Sequence, residues 1–165
     1  MINPSNIAVC HKRAKRHGDR GILFEIASST KLERADFYDA IFCMAVLRDG
    51  RLSQPGVMRC DHLIRFDDFA YMVGDFSRCL KPGGLLVIRH SNFRLADAPA
   101  GPGFETIMCL KNLTGVSPIF GPDNRLMAEI EYPDTVFRKR SKHQPIGGPI
   151  EQLKNQRLYD LRCRR

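Results

Sequence analysis

YDAIFCMAVL, residues 38–47, is a near-continuous apolar run opened by a Tyr-Asp pair. It is far too short to cross a bilayer, which takes about 20 residues, and too apolar for an exposed strand. A run of this length and composition reads as a central parallel strand, buried on both faces by helices. A second run, LLVIRH at residues 85–90, follows the punctuation LKPGG at residues 80–84. Between the two, Phe66, Phe69, Ala70, Val73, Phe76 and Leu80 recur at helical spacing, with Asp67 and Asp68 in the first turn, where the helix dipole favours anions. This predicts a helix over residues 67–80, with Lys81 placed for its last carbonyls and the Pro-Gly-Gly turn as its stop. Strand, helix, stop, strand is a βαβ unit. Ligands of such sheets bind outside the carboxyl ends of the strands, which puts a site near residues 43–48 and 90–93.

Upstream, Asn3-Pro4-Ser5-Asn6 reads as a turn and a helix start with Ser5 as N-cap. Ile7, Cys10 and Ala14 mark one face of that helix, basic residues crowd the other, and Gly18 ends it. GILFEIA, residues 21–27, reads as a short strand. The loop at residues 48–61 carries Gly50, Pro55 and Gly56 and lies over the carboxyl end of the central strand. Downstream, ADAPAGPG at residues 96–103 is too broken by Pro and Gly for a long helix. FETIMCL (104–110) and TVFRK (135–139) read as strands, FGPDN (120–124) as a turn, and residues 150–161 as a short helix.

The 165 residues fit one domain, 1–140, with a basic tail over 141–165. No apolar run reaches membrane-spanning length, and the first charges follow the amino-terminal apolar piece rather than precede it, so the expectation is a cytoplasmic chain without membrane contact. Six cysteines are scattered with no CxxC pair, which suits reduced thiols. Cys60-Asp61-His62 has no second cluster to complete a metal site, so no metal is expected. The net charge of +8 is concentrated at residues 12–20, 138–142 and 162–165. Such clusters suit nucleic acid or solvated surface alike. No aromatic residues interleave them for base stacking, so nucleic acid is not the expected partner.

The strand YDAIFCMAVL resembles the fourth motif of class I S-adenosylmethionine (SAM)-dependent methyltransferases, and FSRCLKPGGLLVIRH, residues 76–90, is similar to that family's helix end and fifth strand. The likeness is to the methyltransferase type 11 kind. It implies an α/β, Rossmann-like sheet of strand order 3-2-1-4-5-7-6 and SAM as cofactor. The family's strand–GxGxG–helix segment has no counterpart: GPGFE at residues 101–105 matches in letters but follows the fifth strand. The fold expected from the resemblance is therefore an incomplete class I methyltransferase sheet, lacking the first strand, first helix and most of the second strand. Such a chain looks amino-terminally truncated.

By the same resemblance, Asn3 stands where the family carries an acidic residue for the ribose, Ser28 and Ser29 near the adenine position, and Cys43 and Met44 along the methionine part, mostly through backbone contacts. Each also reads as a turn former or core filler. His62 in the loop and His90 at the strand tip are candidate general bases, and Asn92 and Arg94 candidate substrate contacts. The Asn/Asp-Pro-Pro-Tyr/Phe signature of nucleic-acid amino-methyltransferases is replaced by Cys43-Met44-Ala45-Val46, which favours a small-molecule acceptor. Without its glycine-rich turn the isolated chain should bind SAM poorly and turn nothing over. The competing expectation is a non-catalytic interaction module that self-associates through an open sheet edge.

Overall fold

The structure, a computed structural model, describes residues 4–22, 24, 34–110, 116–131 and 134–141. The chain divides into two compact units, Met1–Lys31 and Leu32–Arg165. The first contains helix α1 (Pro4–His17). Proline suits a first helical turn, where its missing N–H has no helical partner to lose. The helix accordingly begins at Pro4, and Ser5 lies inside it rather than capping it. Ile7, Cys10 and Ala14 are half-buried on one face, as their spacing predicts, and Gly18 closes the helix at φ 73°. The strand expected over residues 21–27 falls largely outside the described residues, as does the helix expected at 150–161.

The second unit opens with strand β1 (Tyr38–Met44), a 3₁₀ turn (Gly50–Ser53), helix α2 (Phe66–Cys79) and strand β2 (Leu80–Arg89). Two further 3₁₀ turns, Leu95–Asp97 and Gly101–Gly103, lead to β3 (Phe104–Leu110). Then come β4 (Ser117–Phe120), β5 (Leu126–Ile130) and β6 (Asp134–Lys139). The main sheet has the order β1-β2-β6-β3, with β1 parallel to β2 and β6 antiparallel to both its neighbours. This is an α/β, incomplete Rossmann-like sheet, and its order matches the 4-5-7-6 half of a class I methyltransferase sheet. The pair β4 and β5 forms a separate antiparallel hairpin. Both strands are too short for a period of two to register, and they were not legible as strands in the sequence.

Helix α2 covers one face of the sheet. Phe66, Phe69, Val73, Phe76 and Cys79 are its buried stripe, and the first four join Cys43, Leu86 and Ile88 in one core. The cross-strand pairs Cys43–Ile88, Ile88–Thr135 and Leu86–Phe137 carry that face across β1, β2 and β6. The alternate residues Phe42, Met44, Leu85, Val87 and Val136 point to the opposite face, where no described helix of this unit lies. Phe42 is 69% and Met44 47% exposed. The expectation of a strand buried on both faces is thus corrected for the described residues: an apolar run marks what a sheet can bury, and among the described residues of this unit one α-helix, α2, covers it.

LKPGG does more than stop a helix. Tyr38 pairs with Leu80 and Ala40 with Leu85, so residues 81–84 loop out of the ladder opposite Asp39. Gly83 adopts φ 80° within the loop. A Cβ on Gly84 would lie 2.9 Å from the Lys81 carbonyl oxygen and 3.1 Å from that of Asp39. Lys81 reaches across to Asp39 at 2.7 Å rather than to the helix end. Phe76, at 4% exposed, is held between α2 and the sheet, and Phe76→Ala is expected to cost about 3–5 kcal/mol in a urea melt. A loss below about 1 kcal/mol would show that this face is not core.

Candidate functional site

The carboxyl ends of β1 and β2 lie side by side, and both leave the sheet through left-handed backbone. Ala45 has φ 58° and His90 φ 55°. Neither is glycine, and such a conformation costs an L-residue roughly 1–2 kcal/mol. It is held in place by neighbours: the Ala45 N–H donates to the Arg89 carbonyl at 2.8 Å, and the N–H groups of Val46 and Leu47 fold back onto the Cys43 sulfur. Burial pushes the Cys43 thiol up to about 11 despite those two donors.

Asn92 ties this rim together. It is 1% exposed. Its N–H donates to the Leu47 carbonyl (3.0 Å), its carbonyl accepts from the Phe120 N–H (2.8 Å), and its Oδ1 accepts from the Asp49 N–H (2.8 Å). Its Nδ2 donates to the Pro118 carbonyl at 3.4 Å. One residue therefore joins the exits of β1 and β2 to strand β4. Asn124 does similar work nearby: its Oδ1 accepts the Phe66 N–H at 2.7 Å, capping the first turn of α2 from the β4–β5 turn.

Several of the charged groups around the rim are paired locally. Asp49 accepts from Arg51 Nη2 at 2.7 Å and from the Arg51 N–H at 3.0 Å, and these bonds lower its carboxyl to about 2. A carboxyl lowered on folding favours the folded state above its ordinary value of 3.8, and that contribution disappears as pH falls through about 2. Arg94 donates to both oxygens of Asp97, at 2.9 and 2.7 Å. Arg59 does the same to Asp61, at 3.2 and 3.0 Å. His62 is exposed, near enough for a positive imidazole to help hold the Asp49 carboxyl down. His90 is half-buried at the tip of β2.

The residues singled out in the sequence thus lie in different settings. Cys43 is core and Met44 faces outward beside it; Asn92 is internal; Arg94, His62 and His90 stand around the rim. Asn3, Ser28 and Ser29 lie outside the described residues. Among the described residues no three His, Cys, Asp or Glu side chains converge as metal ligands, and no helix is long and apolar enough to cross a membrane.

Between the rim and the sheet is a cleft of about 170 Å³ over β6 and β3, floored by Ile88, Thr135, Phe137, Thr106 and Cys109. Pockets for drug-sized ligands run to about 300–1,000 Å³. The residues that the resemblance assigns to SAM do not line this cleft: Cys43 and Met44 lie elsewhere on β1, and Asn3, Ser28 and Ser29 are outside the described residues. The cleft is too small for a nucleoside joined to an amino acid. At the β1 tip the N–H groups of Ala45, Val46, Leu47 and Asp49 are already engaged inside the protein.

No family model matches the sequence, and no curated protein matches it. Solved structures do resemble the fold. One is the structure described as conversion of a disulfide bond into a thioacetal group during echinomycin biosynthesis, at a TM-score of 0.50 and 14% identity, covering 94% of this chain and 70% of that one. Another is the YcgJ protein from Bacillus subtilis, at a TM-score of 0.51 and 12% identity, covering 84% of this chain and 80% of that one. The chain has a distant, low-identity likeness of fold to these two structures, in keeping with its incomplete Rossmann-like sheet. At such identities the likeness is one of fold, and fold does not fix chemistry.

Asn92→Ala leaves the Asp49 N–H and the Pro118 carbonyl without their side-chain partner. Each unsatisfied buried group costs about 1–3 kcal/mol, so a loss of about 2–4 kcal/mol is expected in a denaturant melt. A change under about 0.5 kcal/mol would show that the rim holds together without it.

Proposed function

We propose that this chain is a methyltransferase-like interaction module rather than a catalyst, and that its partner is a second copy of the chain joined through β1. The observation that carries this reading is the apolar edge: β1 ends the described sheet, and Phe42 on it is 69% exposed. An open strand edge presents unpaired backbone groups, and strand addition satisfies them while covering the side chains alongside. The strand is self-complementary when paired antiparallel about Ile41. Phe42 of one copy then faces Ala40 of the other, large against small, and Met44 faces Tyr38. The only charge on the strand, Asp39, is bridged by Lys81 at 2.7 Å, so the net charge of +8 is not concentrated at the seam.

Sedimentation tests the proposal. At roughly 10 μM the 18.8 kDa chain is expected at twice its mass, and Phe42→Asp is expected to return it to the monomer without loss of helix signal. A chain that stays monomeric at several hundred micromolar would overturn the reading.

A second reading is SAM-dependent methyl transfer to a small-molecule acceptor. The fold favours it, together with the left-handed backbone at Ala45 and His90, since strained residues cluster at functional sites. In that reading His62 and His90 are the candidate bases, Asn92 and Arg94 the candidate acceptor contacts, with Asn92 reaching an acceptor only where its bonds to Asp49 and Pro118 open, and Cys43 and Met44, with Asn3, Ser28 and Ser29, border the cofactor. Calorimetry separates the two readings. The interaction module is expected to bind SAM no tighter than about 100 μM. A low-micromolar constant would favour the enzyme.

A further inference from the structure

The crossover from β2 to the parallel strand β3 covers residues 90–103 and contains only two 3₁₀ turns. A βαβ crossover would usually lay a helix over the sheet. Here the face of β6 and β3 is left with a slot beside α2. Its floor is the set of paired residues Ile88, Thr135, Phe137, Thr106 and Cys109, Ile119 and Ile130 of the hairpin wall it, and Ala96 stands exposed among its lining residues.

We infer that this slot is a binding site for one small neutral aromatic molecule of one or two fused rings. Size sets the scale: the slot holds about 170 Å³ and opens to solvent on one side, and an enclosed apolar protein cavity of about 150 Å³ is known to take up benzene. The chemistry of the lining sets the polarity. The Ser91 hydroxyl donates to the Phe93 carbonyl at 2.7 Å, and the Thr135 hydroxyl lies 3.9 Å from the Cys109 sulfur. The Arg94 guanidinium is closed onto Asp97 by two bonds. These three groups have partners within the protein, and the fourth polar side chain of the lining, Thr106, offers a neutral hydroxyl, so a charged ligand would lose its hydration with no free counter-charge to replace it. A neutral ring loses nothing of that kind and gains contacts with isoleucine and phenylalanine side chains. The slot is separate from the β1 edge, so this site stands whether or not the chain pairs with itself.

Methyl-resolved NMR with indole as the probe tests the assignment, with benzoate as the charged control. Indole is expected to shift the methyl signals of Ile88, Ile119 and Ile130 in a saturable way, with a dissociation constant of about 1 mM or below, while benzoate leaves them in place. Ala96→Trp, at an exposed position of the lining, is expected to weaken indole binding about tenfold or more. Cys109→Phe, which fills the floor, should do the same and guards against misfolding of either variant alone. Shifts that grow linearly to the solubility limit of indole, an equal response to benzoate, or undiminished binding in both folded variants would each overturn the proposal.

Discussion

The carboxamide and backbone of Asn92 hold three chain segments at one point: the exit of β1 through Leu47 and Asp49, the exit of β2 to which it belongs, and strand β4 through Pro118 and Phe120. Everything at the carboxyl end of the sheet depends on that junction. The left-handed backbone at Ala45 and His90 is maintained because the loops beyond it are fixed. The aromatic cluster of Phe66, Phe69 and Phe93, with ring centroids 5.2–5.9 Å apart, closes over the core from the same place. A buried amide of this kind is costly to leave half-satisfied, and bonded at both ends it fixes a single arrangement.

The second constraint is the sheet's one-sidedness. Parallel strands are ordinarily buried on both faces, and α2 gives β1 and β2 cover on only one. The outer face retains Phe42, Met44, Leu85, Val87 and Val136 as an apolar surface among the described residues, with β1 at the edge of the described sheet beside it. On the covered side the β2–β3 connection supplies 3₁₀ turns where a helix would lie, and the small slot over β6 and β3 is the result. Both features have the same origin: the strands follow the order of a methyltransferase half-sheet, while the described layers around them are fewer than such a sheet normally carries.

Much of this was legible in the sequence. The helical spacing of Phe66, Phe69, Val73 and Phe76 identified α2 nearly to the residue, and the apolar runs at residues 38–47 and 85–90 identified the parallel pair. FETIMCL and TVFRK identified β3 and β6. Periodicity could not report which faces are covered, because Phe42 reads the same whether or not a helix lies over it. LKPGG was legible as a helix stop but not as a loop-out opposite Asp39, since both need the same glycines. Asn92 reads in the sequence as a candidate substrate contact near a strand tip, not as a structural junction. Its role depends on Leu47, Asp49, Pro118 and Phe120, and partners so far apart in sequence leave no local pattern. The β4–β5 hairpin was missed because strands of four and five residues fall below the length at which alternation is informative.

The central claim is that β1 is an open edge awaiting a strand from a second copy. Amide hydrogen exchange over residues 38–44, at about 1 μM and about 100 μM protein, tests it most directly. The account predicts β1 amides that exchange rapidly in the dilute sample and become protected in the concentrated one, with α2 protected in both. Protection of β1 equal to that of β2 and independent of concentration would contradict it.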